Sequence, residues 1–376
     1  MPYKLVVLAG DGTGPEVMRE GMKVLQAAQD AYGLSFDLIP YPCGGQYYLE
    51  NGEEWPAEAF ASCKSADAIL LGAVGHPDAR LPNGDLAGAG VIFGLRFGLD
   101  LYANVRPVKL YPGVRHKIHD EFKQVWRPDL VDFVVVRENT EGLYTPARGT
   151  LSRGGTDELA VDSRIITRKG AERVVRFAFE LATRRGGAPK DRKHRVTCVD
   201  KSNVLAGDRL FRKVYDEIAA QYPKVERDYA YIDAFTQWII RSPEAYDVAV
   251  APNEFGDIAT DLAAVLQGGM GIAAGGNIGD AHAMFEPIHG SAPKHAGQDK
   301  VDPIAMILAV QMMLDWLGAR KSDAKLVAAA KGVEAAVASV LKEGKVLTYD
   351  LGGTGKCSQV GTVIAKRVGA RESRRR

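Results

Sequence analysis

Two acidic residues in the segment NEFGDIATDL (253–262) have a spacing that suits metal binding. Asp257 and Asp261 stand four residues apart. On a helix this spacing brings both carboxylates to one face, about 5–6 Å apart at Cβ, where like charges repel each other. No Lys or Arg occurs from Ser242 to Pro293, although that stretch contains seven acidic residues. The sequence therefore raises the question of what neutralises this acidic stretch.

A third aspartate completes a candidate ligand set. Asp233, in AYIDAFTQWI, lies among apolar residues and needs a partner if it is buried. Three carboxylates with no accompanying His or Cys favour a hard cation, Mg²⁺ or Mn²⁺, and disfavour zinc. Each aspartate taken alone also fits an ordinary ion pair, so the metal hypothesis depends on the three together.

Three arginines and two other polar residues add further chemistry. Arg96, Arg106 and Arg137 are predicted at strand ends, where a guanidinium is costly unless it meets an anion such as a carboxylate. Three of them indicate a ligand with more than one carboxylate. Lys201, at the end of RVTCVDKSNV, is a candidate base, and Tyr144, in RENTEGLYTP, is a candidate phenolic acid.

Alternating strands and helices must position these residues. Apolar runs at 67–75, 99–110, 132–139, 195–204 and 246–257 predict buried strands, and amphipathic stretches at 16–31, 171–185 and 210–222 predict helices. The pattern indicates an α/β protein. The turn GDGTGPE (10–16) suits either an anion-binding helix N-terminus or a plain tight turn, and it is not the Rossmann GxGxxG pattern.

Composition excludes several classes of protein. The 376 residues carry a net charge of +1, so no global field draws the chain to nucleic acid or membrane. Four dispersed cysteines argue against a disulfide scaffold and fit a reducing cytosol, and we expect a cytoplasmic protein. The basic tail ARESRRR (370–376) is expected to be a solvated terminus rather than a nucleic-acid arm.

Seven motifs in order resemble the β-decarboxylating dehydrogenases, the family of isocitrate, 3-isopropylmalate, homoisocitrate and tartrate/D-malate dehydrogenases. They are GDGTGPE, LYANVRP, VVRENTEGLY, VDKSNVL, DAFTQWIIRSPEAYDV, NEFGDIATDLAA and FEPIHGSAPKHAG, and the resemblance runs from residue 4 to about 360. Glu254 departs from the family pattern, which has an apolar residue there.

The resemblance implies a reaction and roles for the site residues. A 2-hydroxy acid with a carboxylate on C3 would be oxidised by NAD(P)⁺, lose CO₂ and be protonated at C3. Lys201 resembles the base for the C2 hydroxyl, and Tyr144 resembles the acid for C3. Asp257 and Asp261 resemble the metal ligands of one subunit, while Asp233 and Lys201 resemble groups lent by the other. The three arginines resemble the clamps for the substrate carboxylates.

The resemblance also implies the architecture: a two-domain isopropylmalate/isocitrate dehydrogenase-type α/β fold with parallel and mixed sheets, unlike Rossmann. A large cofactor-side domain would span 1–103 plus 268–376, and a smaller dimerisation domain 104–267. The polar segment 148–170 reads as an arm for a dimer contact or as a surface loop. An active-site cleft between the domains and an obligate homodimer with shared sites would follow.

Substrate choice in the family depends on the segment before Arg96. Isocitrate enzymes have Ser and Asn six and four residues before it, where this chain has Gly90 and Ile92. Homoisocitrate enzymes have an Arg three before, where this chain has Phe93. Isopropylmalate enzymes carry Leu at four and three before and a Glu at seven before, the position of Ala89 here. The apolar pair Ile92 and Phe93 favours a 3-alkylmalate, with 3-isopropylmalate first. Alternatively, Phe93 fills the pocket and selects D-malate or tartrate.

The cofactor segment resembles the NADP-type enzymes of the family. Lys294 stands where NAD enzymes have Asp, and Tyr349 matches an NADP-side residue. Gly353 and Asp302 depart from that type, where Arg and Asn are usual, yet NADP⁺ is favoured over NAD⁺. The cofactor contacts implied by the resemblance are Gly75, Glu286, His289, Gly290, Ser291, Ala292, Lys294, His295, Asp302 and Tyr349. A non-catalytic partner subunit is the rival from another class, but such subunits lose catalytic residues that this chain retains.

Overall fold

The computed structural model describes the backbone of residues 2–372 and the side chains of residues 2–368, so the side chains of the basic tail lie outside it. The strands β1 to β14 are Tyr3–Leu8, Phe36–Tyr41, Ala68–Leu71, Ala103–Lys109, His116–Ile118, Glu121–Lys123, Asp132–Glu138, Arg148–Arg153, Thr156–Asp162, Arg195–Asp200, Glu226–Tyr231, Val248–Ala251, Ala274–Ile278 and Ala283–Pro287. The helices α1 to α11 are Gly14–Tyr32, Gly45–Asn51, Ala59–Ser65, Ala89–Gly98, Arg168–Arg184, Ala206–Ala219, Ile232–Arg241, Asn253–Leu266, Ile304–Lys321, Ala324–Glu343 and Cys357–Glu372. The α/β fold with a mostly parallel arrangement of strands confirms the predicted class.

The chain divides into two compact units. Unit 1 contains the chain through Leu101, the segment Lys109–Pro128 and the chain from Ala264 onward, and unit 2 contains Tyr102–Val108 and Asp129–Ala263. The predicted boundaries differ mainly in the segment Lys109–Pro128, which they assigned to the second domain, and by a few residues at 102–103 and 264–267. The segment belongs to unit 1 because Lys109 Nζ lies 2.6 Å from Glu334 Oε1 and His116 bonds to the Leu266 carbonyl.

Unit 1 places its strands in the order β13-β14-β3-β1-β2. All these neighbours run parallel except β13 and β14, which are antiparallel. The apolar run in β1 is buried, as expected for a strand covered on both faces. Helix α1 begins with Pro15 in its first turn and ends at Gly33, whose φ of 65° is the left-handed conformation that glycine adopts readily.

Unit 2 places its strands in the order β11-β10-β12-β7-β4. The pairs β11–β10, β10–β12 and β12–β7 are parallel, so their carboxyl ends share one edge. That edge is where ligands usually bind in α/β sheets. Strands β8 and β9 form an exposed antiparallel hairpin within the predicted arm, and the last residues of that segment belong to α5, which begins at Arg168.

The structure corrects two of the three predicted arginine positions. Arg96 was predicted at a strand end, but it lies in the last turn of α4. Arg106 lies in the middle of β4 rather than at its end, and Arg137, the penultimate residue of β7, lies at a strand end as predicted. Val91 and Leu95 pack one side of α4 against the core of unit 1. Among the described residues, no helix is long and apolar enough to cross a membrane.

Candidate active site

The acidic helix α8 obtains positive charge from two strands of unit 2. Arg137 donates a short hydrogen bond to Asp257 Oδ1. Arg106 Nη1 lies 3.3 Å from the same oxygen and 3.6 Å from Asp261 Oδ1. Strand β7 pairs with β12, which leads into α8, and this pairing brings Arg137 beside the first turn of the helix. The shortage of basic residues along the acidic stretch is therefore relieved in part by groups distant in sequence.

Both arginines are held in position by neutral partners. Arg106 donates to Asn104 Oδ1 at 2.7 Å and to Thr260 Oγ1 at 2.6 Å, and Arg137 donates to Asn253 Oδ1 at 2.9 Å. Both are at least nine-tenths buried, with exposures of 6% and 2%. Gly256 is required beside them, because a Cβ there would lie 2.6 Å from the Arg137 Cβ. The guanidiniums are thus fixed before any ligand arrives.

Tyr144 joins the same cluster. Its hydroxyl donates to Asp257 Oδ2 at 3.1 Å, and the Arg137 guanidinium lies 5.4 Å from its ring centroid. Partial burial raises the pKa of Tyr144, and the charge of Asp257 adds to that effect. The phenol therefore holds its proton at neutral pH, as a proton donor must.

Asp261 is exposed and less strongly paired than Asp257. Partial desolvation raises its pKa, Arg106 opposes this, and the neighbouring charge of Asp257 adds to the rise. A carboxylate that is destabilised by its like-charged neighbour gains most from an added cation. The two oxygen donors of α8 thus suit a divalent cation on electrostatic grounds.

Lys201 and Asp233 form a separate pair in unit 2. Lys201 directly follows β10, and its Nζ donates to Asp233 Oδ1 at 2.7 Å. The Asp233 side chain is 66% exposed, and the bond from Lys201 lowers the pKa of its carboxyl. Asp233 is therefore not buried, although its neighbours in sequence are apolar, because it lies in the exposed first turn of α7. Among the side chains of residues 2–368, no group of three or more from His, Cys, Asp and Glu is arranged to hold a metal ion.

The structure shows what Glu254 contacts. Glu254, one turn before Asp257, receives a short hydrogen bond from Arg164 Nε. Arg164 also lies 2.7 Å from Asp208 Oδ1 and packs over the Phe255 ring at 4.9 Å. Asp208, fully buried in the first turn of α6, accepts from the Lys201 backbone N–H at 2.7 Å. We call Glu254, Arg164 and Asp208 the ionic bridge.

The ionic bridge also reaches the segment that carries Tyr144. Ile165, next to Arg164, pairs with Gly142 through two backbone hydrogen bonds of 2.9 and 3.2 Å. One arginine therefore connects the aspartate helix, the tyrosine segment and the loop of Lys201. The sequence did not reveal this role, since no pattern links residues 90 positions apart.

Helix α4 carries the three predicted substrate contacts of unit 1. Arg96 donates to Asn277 Oδ1 at 3.1 Å and pairs with Glu286 Oε1 at 3.3 Å. Ile92 is partly buried against the core, and Phe93 stacks on Phe97 with ring centroids 5.8 Å apart. Glu286, predicted as a cofactor contact, is thus a partner of Arg96 in this structure.

Unit 1 contains a cavity of about 460 Å³ beside the segment 289–302. Six predicted cofactor residues line it: His289, Gly290, Ala292, His295, Asp302 and Tyr349. Thr13, Val301, Asp350 and the run 268–271 also line the cavity and were not predicted from the sequence. The run GGMG was the available signal, because Gly268 and Gly269 have φ values of 113° and 125° that favour glycine.

The other four predicted cofactor residues have structural contacts outside the lining. Gly75 N–H donates to Asp11 at 2.6 Å, and Ser291 O accepts from Thr13 N–H at 2.8 Å. The Lys294 carbonyl accepts from Gln298 at 2.7 Å, and Glu286 pairs with Arg96. Two further donors of the GDGTG turn, Asp11 N–H and Gly14 N–H, bond to carbonyls within unit 1. These contacts support the tight-turn interpretation of that motif.

The cavity contains polar atoms that suit a polar ligand. Within the described structure, His289 Nε2, His295 Nδ1, Asp302 Oδ2 and Asp350 Oδ1 are buried and lack a hydrogen-bond partner. Burial raises the pKa of Asp302 well above its usual range, and the charge of Asp350 adds to it. Burial also lowers the pKa of His289. Unsatisfied buried polar atoms are rare in native proteins and indicate that a ligand or water completes them.

Comparisons with known proteins cover nearly the whole chain. A family model described as isocitrate/isopropylmalate dehydrogenase matches residues 4–364. The 3-isopropylmalate dehydrogenase of Thermobifida fusca is 44% identical over 370 residues, covering 97% of each chain. That of Corynebacterium glutamicum (strain R) is 46% identical over 319 residues, covering 84% of this chain and 88% of the relative.

Two solved structures share the fold. Isocitrate dehydrogenase from Methylococcus capsulatus superposes with a TM-score of 0.84 at 34% identity, covering 98% of this chain and 99% of that one. A β-decarboxylating dehydrogenase from Thermococcus kodakarensis gives a TM-score of 0.77 at 36% identity, covering 99% and 97%.

Proposed function

We propose that this chain, which belongs to the isocitrate/isopropylmalate dehydrogenase family, catalyses the metal-dependent oxidative decarboxylation of 3-isopropylmalate with NAD(P)⁺. Family members are dehydrogenases, and the chain retains the tyrosine, lysine and aspartates that the motifs predicted. A non-catalytic subunit has no need of that set.

The cluster in unit 2 is the observation that carries the proposal. Two buried arginines, a neutral phenol and two aspartates meet at the carboxyl end of β7 and the start of α8. Buried guanidiniums favour ligand carboxylates, and fork-shaped contacts also orient them. We propose that Arg106 and Arg137 bind carboxylates of the hydroxy acid, and that Arg96 has the same role.

The donor set fits a divalent cation. Asp257 and Asp261 would supply two carboxylate ligands, and Asp233 of a second copy would supply the third. Oxygen-only ligands suit Mg²⁺ or Mn²⁺. Such a cation, when bound, withdraws charge from the substrate oxygen on C2. The pair formed by Asp257 and Arg137 would rearrange, because one carboxylate oxygen cannot fully serve both cations.

Two side chains would move protons. Lys201, contributed by a second copy, would accept the proton of the C2 hydroxyl at Nζ. Asp233 beside it holds Nζ in position through the 2.7 Å bond. Tyr144 would deliver a proton from its hydroxyl to C3 after CO₂ has left, and its raised pKa keeps that proton available. A homodimer with shared sites is therefore part of the proposal.

The cavity in unit 1 fits the cofactor. Its volume of about 460 Å³ lies in the usual range for small-molecule sites, and its buried unsatisfied atoms offer both donors and acceptors. NAD(P)⁺, when bound, accepts the hydride from C2. We propose NADP⁺ as the preferred form, on the basis of exposed Lys294 and of Tyr349. If NAD⁺ gives the higher kcat/KM, this interpretation of Lys294 is wrong.

The apolar residues of α4 support an alkyl-substituted substrate. Ile92 and Phe93 would contact an isopropyl group, and each buried CH₂ contributes about 0.8 kcal/mol. Phe93 stacks on Phe97, and this contact holds its ring along the helix. The alternative is that Phe93 fills the pocket, in which case the smaller substrates D-malate and tartrate would be preferred.

A substrate panel tests the proposal. Purified protein is assayed with Mn²⁺, each cofactor in turn, and five substrates: 3-isopropylmalate, D-malate, tartrate, isocitrate and homoisocitrate. We expect the highest kcat/KM with 3-isopropylmalate. A higher kcat/KM with D-malate or tartrate would show that Phe93 fills the pocket. Inactivity with all five would overturn the proposed function.

A further inference from the structure

A carboxylate from a different segment occupies the first turn of α4. Glu54 Oε1 accepts from Gly88 N–H at 2.5 Å and from Gly90 N–H at 3.0 Å. The first turn of α4 contains no acidic residue of its own, and its N-cap residue, Gly88, has no side chain with which to cap the helix. Glu54, 34 residues before the helix begins to turn, therefore satisfies two donors that a helix start leaves unpaired.

Contacts within unit 1 hold the backbone of Glu54 in place. The Glu54 carbonyl accepts from Gly44 N–H at 2.8 Å. The next residue, Trp55, packs against Phe60 at 6.1 Å and belongs to the shell around the core of unit 1. Gly44 itself adjoins Asp11, which accepts from Gly45 N–H at 2.7 Å. Anchors on both sides thus hold the Glu54 backbone beside α4.

The absence of a side chain at position 90 matches this arrangement. A Cβ at Gly90 would collide with the Glu54 carboxylate. Position 90 lies six residues before Arg96, where the isocitrate enzymes of the family resemblance have Ser. Because the Glu54 carboxylate is the far end of a flexible side chain, a side chain at 90 would displace it. The Glu54 carboxylate can therefore occupy the helix start only when position 90 is Gly.

An anion at a helix N-terminus is stabilised by the helix dipole and by the unpaired N–H groups. In this chain that capacity is already used, and the site carries a negative charge. A second carboxylate brought to the same turn would find its donors taken and would be repelled by a like charge. An alkyl substituent has no such requirement.

We infer that Glu54 is a specificity-determining residue. Its charge would exclude malates whose C3 substituent carries a third carboxylate, whereas malates with an alkyl substituent at C3 would still bind. This inference rests on the proposed function, since it assigns the C3 substituent of the substrate to the first turn of α4. It gives a charge-based reason for selectivity in addition to the apolar contacts of Ile92 and Phe93.

The test compares two substrates in matched variants. Glu54→Gln keeps the size of the side chain and removes its charge, and Gly90→Ser displaces the carboxylate and supplies a hydroxyl. Glu53→Gln, at the exposed neighbouring position, is the control. For each protein, with Mn²⁺ and the preferred cofactor, kcat/KM is measured for 3-isopropylmalate and for isocitrate. Circular dichroism and thermal unfolding verify that each variant is folded.

Both Glu54→Gln and Gly90→Ser should raise the ratio of kcat/KM for isocitrate over 3-isopropylmalate at least tenfold, while Glu53→Gln leaves it within twofold. The rise should come mainly from a lower KM for isocitrate, which a merely structural role of Glu54 would not produce. Folded variants that keep the wild-type ratio would overturn the inference and leave the proposed function intact. A wild-type enzyme inactive with every malate would overturn the proposed function, and the inference with it.

Discussion

Arg164 offers the sharpest test of how the site is held together, through the variant Arg164→Met. The guanidinium is 15% exposed and lies between two carboxylates, Glu254 at 10% and Asp208 at 0% exposure. Methionine is close in length but has no charge, so both carboxylates would stay buried without their cation. Arg164 also covers the Phe255 ring, and methionine can keep part of that contact.

The loss of stability expected for Arg164→Met depends on how deeply its two carboxylate partners are buried. Removing one member of a buried ion pair destabilises a protein by about 3–5 kcal/mol, because the remaining charge is uncompensated. Glu254→Leu should lower the free energy of unfolding by less, about 1–2 kcal/mol. Arg164 would still pair with Asp208, and the leucine side chain would add apolar contact. Position 254 is apolar in the family pattern, which agrees with the smaller cost.

Urea unfolding followed by circular dichroism measures both values. Arg153→Met is the matched control, because the Arg153–Glu158 pair is exposed, at 71% and 48%, and contributes less than about 1 kcal/mol. Since Asp208 accepts from the Lys201 N–H, Arg164→Met should also lower kcat more than it raises KM. A loss of stability no larger than that of the control would refute the ionic bridge as a structural element.

Four further predictions address the chemistry. Lys201→Met should lower kcat by about 10²–10⁴-fold, the usual contribution of a general base, with little change in unfolding temperature; unchanged turnover would exclude Lys201 as the base. Exhaustive EDTA treatment should abolish activity and Mn²⁺ should restore it, whereas full activity without metal would contradict the roles of Asp257 and Asp261. Lys294→Asp should shift the kcat/KM ratio from NADP⁺ toward NAD⁺, and an unchanged ratio would remove Lys294 from cofactor selection. Because the pKa of Asp302 is raised in the folded state, folding stability is lost as pH rises above about 4, the ordinary pKa, towards the raised value. The free energy of unfolding of Asp302→Asn minus that of wild type should therefore increase with pH across that window, and a difference that stays constant in urea unfolding would count against it.

The sequence predicted those parts of the fold that depend on local pattern. The buried strands β3, β7 and β12 were evident from continuous apolar runs, and α5 and α6 from their amphipathic spacing. The helix α4 was misjudged around Arg96 because its residues are apolar on most sides and gave no helical period. Short helices packed against a core have this ambiguity in general.

Sequence patterns could not predict which side chains far apart in the sequence contact each other. Asp257 was recognised as a ligand candidate, yet its bonds to Arg137 and Tyr144 depend on the pairing of β7 with β12. Glu54 gave no signal, since its partners Gly88 and Gly90 lie at the start of α4, more than 30 residues along the chain. Only the tertiary fold brings such residues together, and charge alone does not identify the partner.

Oxidative decarboxylation of 3-isopropylmalate has a fixed ratio of products, and that ratio can be measured. With 3-isopropylmalate as the sole organic acid, Mn²⁺ and either cofactor, NAD(P)H formation and CO₂ release are measured in the same sample. We expect one CO₂ for each cofactor reduced, with both products abolished by EDTA. Cofactor reduction without CO₂, or no reduction with this substrate, would contradict it.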